Sequence, residues 1–128
     1  MNSLVVLREF KSNLVAFLDE LIESFPTEGH FVLCRLFVKD KFPIETIMKH
    51  FITDVLPYKQ TIIDKDETFF IEQGLPIFKQ AGDDVVNHFK NLWKSSGITE
   101  ENKDVIWDWM RSFVVLAEKW QELRKLES

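Results

Sequence analysis

A chain of 128 residues is the size of one domain and can bury about 65–70% of its unfolded surface. Hydrophobic residues (45%), charged residues (29%) and a ring inventory of 12 Phe, 4 Trp and 1 Tyr suit a soluble protein with an aromatic core, while 4 Gly leave little for all-β turns. A net charge of −5 argues against a broad basic nucleic-acid surface, and one cysteine, Cys34, excludes an internal disulfide framework.

From Ser3 to about Ser24, Leu7, Phe10, Leu14, Phe17, Leu18 and Leu21 recur at steps of three and four, with Arg8, Ser12, Asp19 and Glu23 opposite. This spacing predicts an amphipathic helix capped by Ser3 and stopped by Pro26. The apolar run before Arg8 is too short for a signal peptide, and no stretch approaches the ~18 apolar residues of a membrane span. The protein is therefore expected to be soluble and intracellular, with no membrane contact.

Residues 31–38, FVLCRLFV, are apolar except for Arg35, a pattern shared by buried strands and buried helices. Thr27 as an N-cap before Glu28, and the lack of a partner strand, favour helix. Pro43 suits the first position of the next helix, striped by Ile44, Ile47, Met48, Phe51, Ile52 and Val55 and ended by Pro57. Residues 58–74 read as one or two short helical turns, with Asp66 as a cap and Gly74 as the stop. Leu75, Ile77 and Phe78 are expected to pin the connector that follows onto the core.

Asp83 and Asp84 open a further helix at the positive end of its dipole, striped by Val85, Val86, Phe89, Leu92 and Trp93 and closed by Ser95, Ser96 and Gly97. Thr99 caps the last helix, which runs to about Lys125, roughly 26 residues or nearly 40 Å. No repeat or linker divides the chain. The expected fold is all-α: residues 1–128 form a single compact bundle of five to six helices with a long C-terminal helix.

The residues that carry chemistry form no recognisable site. His30 and Cys34 share a helix face, but two ligands fall short of the three or four that zinc needs, and no metal is expected. Cys34 as a nucleophile, with His50 or His88 as base, needs a polar and partly exposed setting; it lies instead in the most apolar run of the chain. The carboxylate pairs at 19/20, 64/66, 83/84 and 100/101 fall at helix starts or on polar faces, where they cap or are solvated. DKDET at 64–68 lacks the glycine and the last glutamate of a calcium loop. With no phosphate-binding loop, nucleophile elbow or HExxH motif, neither an enzyme nor a cofactor is expected; a site assembled from His50, His88 and scattered carboxylates is the remotest alternative.

In the last helix, VIWDWMRSFVVLAEKW, positions Ile106, Met110, Phe113, Ala117 and Trp120 form a seam. Trp109, Leu116 and Leu123 flank it on one side, and Trp107 and Val114 on the other. The apolar sector spans about 200°, twice the ~100° of an ordinary surface helix. Either the helix is central and covered from both flanks, or the Trp107 flank is left open for a partner. Val115 stands apart on the polar side. Because aromatic residues are enriched at interface hot spots, the leading expectation is a non-enzymatic protein-interaction module that binds a protein partner or itself. Its expected contact residues are Trp93, Trp107, Val114 and Val115. The alternatives are a virion or assembly component, and a nucleic-acid-associated factor acting through Lys79, Lys90 and Lys94. The dipole of the helix explains Lys94 without any ligand.

Three phrases, LVAFLDELIESFP, HFKNLWKSSGI and IWDWMRSFVVLAEKW, resemble small uncharacterised proteins encoded by nucleocytoplasmic large DNA viruses of algae and amoebae. The resemblance runs from about Leu14 to Trp120. It implies a viral protein acting in the host cytoplasm, viral factory or virion, and it assigns no catalytic or binding residue.

Overall fold

In the computed structural model, which describes residues 2–75, 79 and 81–127, the first periodic segment becomes α1 (Ser3–Ser24). The cap falls one residue earlier than expected. Asn2 accepts a hydrogen bond from the Val5 N–H at 3.0 Å, while Ser3 is buried and engaged elsewhere. Residues 31–36 are helical, within α2 (Gly29–Leu36), and one π-helical turn (Phe37–Lys41) follows. Thr27 does not cap α2. Glu28 holds the N-cap position and makes no side-chain cap bond, because its carboxylate is committed to His88. The π turn ends at Phe42, whose extended backbone (φ −116, ψ 134) is what a residue before proline favours. Pro43 then stands just outside α3 (Ile44–Asp54).

A 3₁₀ turn (Leu56–Tyr58) leads into α4 (Lys59–Ile63), α5 (Thr68–Gln73), α6 (Asp83–Lys94) and α7 (Glu100–Glu127). The described residues thus hold seven α-helices rather than five or six, and no strand. The extra break comes at Lys65, whose φ of 54 reverses the chain, after which the Asp66 carboxylate caps the next turn by accepting from the Thr68 N–H at 3.1 Å. Thr99 caps α7 as expected, its hydroxyl accepting from the Asn102 N–H at 3.1 Å. No described helix is long and apolar enough to cross a membrane.

Helix α7 is the shared wall of two aromatic clusters. On one side Phe113 meets the rings of Phe10, Phe17 and Phe51 edge-on, at centroid distances of 5.7, 5.6 and 6.2 Å. On the other side Phe70 of α5 packs against Trp93 of α6 at 4.3 Å and Trp107 at 4.6 Å. Such pairs each contribute about 0.5–1.5 kcal/mol beyond area burial. Both flanks of α7 are therefore covered, which accounts for the width of its apolar sector. Leu75 joins the core, whereas Ile77 and Phe78 lie outside the described residues.

Candidate functional site

Of the four expected contact residues, Trp93 on α6 and Trp107 and Val114 on α7 are buried, and Val115 on α7 is exposed. Trp93, Trp107 and Val114 are only 2%, 3% and 4% exposed, held by the second aromatic cluster and the α7 seam. Val115 is 61% exposed and stands on the polar side of α7, as its position in the sequence predicts. Trp109 is half-buried, and its Nε1–H donates to Glu20 at 2.6 Å. Of the three lysines considered for phosphate contact, Lys79 lies 3.9 Å from Asp54, Lys90 is half-buried, and Lys94 is exposed in the last turn of α6.

The carboxylates of the sequence pairs turn to separate tasks. Asp19 binds Arg35, Glu20 takes the Trp109 indole, Asp66 caps α5, and Glu100 lies 3.7 Å from Lys103. The notch between α1 and α7 that holds Glu20 and Trp109 has a volume of about 160 Å³, below the ~300–1,000 Å³ of typical small-molecule sites. Cys34 is 1% exposed, and burial pushes its thiol up to about 12, the opposite of an activated nucleophile.

Helix α2 exposes apolar side chains on its outward side. Its inward side buries Phe31 and Cys34, and Val38 continues that side into the π turn. Its outward side presents Val32, Leu33 and Leu36, 55%, 40% and 44% exposed, within an arc of about 100°. Among the described residues, the other exposed aliphatics are Leu4 and Val5 at the start of α1 and single residues on α4, α5 and α7, which is ordinary for a protein surface. A helix with apolar side chains on both its inward and outward sides is more often a covered one. Here the outward side floors a shallow depression of about 490 Å³, lined by Gly29, Val32, Leu33, Leu36, Arg35 and Lys39. The Arg35–Asp19 ion pair ties α2 to α1, so the face is set on a fixed element.

At the N-terminal end of that face three polar side chains converge from two elements. Glu28 and His30 flank the start of α2, and His88 comes from α6. The imidazoles of His30 and His88 stack at 4.3 Å with 27° between their planes, and Nε2 of His88 is hydrogen-bonded to the Glu28 carboxylate. Beneath them Phe31 meets Phe89 edge-on at 6.3 Å. Sequence reasoning set His30 beside Cys34 and His88 beside His50. It did not join His30 to His88, which are far apart in the chain. The one available signal was the repeated His-Phe dipeptide at 30–31 and 88–89. It is weak, since the same dipeptide at 50–51 leaves His50 exposed on α3 over a buried Phe51.

Comparison with protein-family models, curated proteins and solved structures returns no match. Fold and surface together define an all-α bundle with a double aromatic core, in which α2 turns an apolar side outward.

Proposed function

We propose that the protein is a non-enzymatic helical interaction module that pairs with a second copy of itself through the outward face of α2. The observation that carries this reading is the exposure of Val32, Leu33 and Leu36 side by side on a helix whose other side is already buried. The face is complementary to itself. In an antiparallel pairing centred between positions 32 and 33, Val32 meets Leu33 of the second copy and Gly29 meets its Leu36. Gly29 has nothing within 4 Å of where a Cβ would stand, so it leaves a notch for a leucine. Such two-fold, isologous contacts are the commonest form of self-association.

An eight-residue helix is about 12 Å long and by itself supplies less than the ~800 Å² per partner of a stable interface. The pairing is therefore weak, with a Kd of roughly 10–500 µM. Sedimentation velocity from about 10 µM to 1 mM tests it across that range. The wild-type chain is expected to shift from monomer to dimer. Leu33→Glu is expected to hold it monomeric throughout with its unfolding midpoint nearly unchanged, because surface substitutions alter stability by only about 0.5 kcal/mol. A wild-type chain that stays monomeric at the highest concentration, or a Leu33→Glu chain that still dimerises, overturns the proposal.

A further inference from the structure

The geometry points to a binding site for a divalent first-row transition metal, zinc in the first instance, formed by Glu28, His30 and His88. One ligand atom from each of the three lies within 4.8 Å of the other two. A tetrahedral zinc ion with Zn–N and Zn–O bonds near 2.0–2.1 Å holds its donors about 3.3 Å apart, so shifts of roughly 1.5 Å close the distances, with one imidazole turning out of the stack so that the in-plane lone pairs of both rings meet at the ion. Two imidazoles and one carboxylate are a donor set zinc takes readily, with the fourth position left to water. Hard, strongly hydrated magnesium prefers an all-oxygen shell and is not matched here.

The surroundings allow entry. Glu28 and His88 have side chains 25% and 31% exposed, and all three groups line a shallow depression of about 400 Å³ together with Thr27, Gly29 and Leu33. Ligation replaces the His88–Glu28 hydrogen bond with bonds from both groups to the ion, each imidazole binding through an unprotonated ring nitrogen. The Glu28 charge offsets the positive end of the α2 dipole, the one local feature that disfavours a cation. A bound ion joins the start of α2 to the middle of α6, two helices that otherwise meet through the Phe31–Phe89 contact. It acts as a staple between the N-terminal helices and the α5–α6 pair.

Zinc affinity of the full chain, measured by competition with a chromophoric chelator, tests the site directly. One equivalent is expected to bind, and zinc at about a hundredfold excess over its Kd is expected to raise the unfolding midpoint by roughly 5–10 °C. EDTA reverses the rise and magnesium does not produce it. His30→Ala and His88→Asn should each weaken binding at least about a hundredfold, since each removes a ligand. His50→Ala should bind as the wild type does. Circular dichroism establishes that each variant is folded, and His30→Ala decides the matter if His88→Asn is not. The inference is overturned if the wild type binds no zinc, if His30→Ala binds it with unchanged affinity, or if His50→Ala abolishes binding.

Discussion

On the inward side of α2, shared with Phe31 and Val38, the Cys34 thiol has lost the water that would stabilise its thiolate, and its pKa stands at about 12 rather than the ordinary 9. The folded chain therefore holds the Cys34 proton more tightly than the unfolded chain does. In linkage terms, the stability associated with this group is intact below pH 9 and erodes as the pH rises above it. At pH 8 a disulfide reagent should label the native protein at least about a hundredfold more slowly than the urea-unfolded chain. Comparable rates in the two states would show that the thiol is accessible. Burial of Cys34 was legible in the sequence because it lies in the most apolar run of the chain, broken only by Arg35. The cluster of Glu28, His30 and His88 was not, because nothing in local spacing marks two residues of α2's first turn as neighbours of a residue on α6. Trp107 and Val115 show the same division. Periodicity placed both on α7, but which flank is covered depends on Phe70 and Trp93, residues contributed by two other helices.

Where a periodic stripe was long, as in α1, α3, α6 and α7, the helix followed directly, since 3.6-residue spacing leaves one way to bury it. Ends were less certain. Asn2 rather than Ser3 caps α1, and residues 56–73 divide into more pieces than their composition suggests, because a single left-handed residue, Lys65, sets the break. Gly74 shows how a stop signal also shapes packing. With φ 66 it ends α5, and a Cβ there would lie 2.6 Å from the Val86 carbonyl oxygen and 2.9 Å from Val86 Cγ1 on α6. The close approach of α5 to α6, and with it the contact of Phe70 with Trp93, depends on that missing methyl. Gly82, at φ 116, is also strained for any other residue, yet nothing lies within 4 Å of its would-be Cβ. Gly82→Ala should therefore cost only backbone strain, about 1–3 kcal/mol. Gly74→Ala should cost roughly 1–3 kcal/mol more, because backbone as well as side chain must move. Urea unfolding of the two variants gives the ordering directly. Equal midpoints would mean that the α5–α6 approach relaxes without penalty.

At the scale of the whole molecule, α7 works because α1 runs beside it for much of its length, and the two helices are also joined at their far ends. Ser3, at the start of α1, donates its N–H to Glu127 Oε2 at 2.9 Å and its hydroxyl to Oε1 at 2.6 Å, closing a contact between residues 124 positions apart. The Ser3 hydroxyl first, then its N–H, and to a smaller extent Arg124, hold the Glu127 carboxyl below its ordinary value of 4.5. For a carboxyl depressed in the folded state, the stabilising contribution is present above the unfolded value and disappears as the pH falls through the folded one. The contact should therefore persist from neutral pH down to about 4.5 and open below it, releasing the chain ends while the aromatic clusters around Phe113 and Phe70 stay closed. The Ser3 amide resonance should follow that titration, with its hydrogen exchange accelerating in step relative to the intrinsic rate at each pH. In Glu127→Gln, which retains an acceptor but has no charge to titrate, the resonance should be insensitive to acid over the same range. A Ser3 amide that titrates identically in the variant would assign the acid response to another carboxylate and leave the ends joined by packing alone.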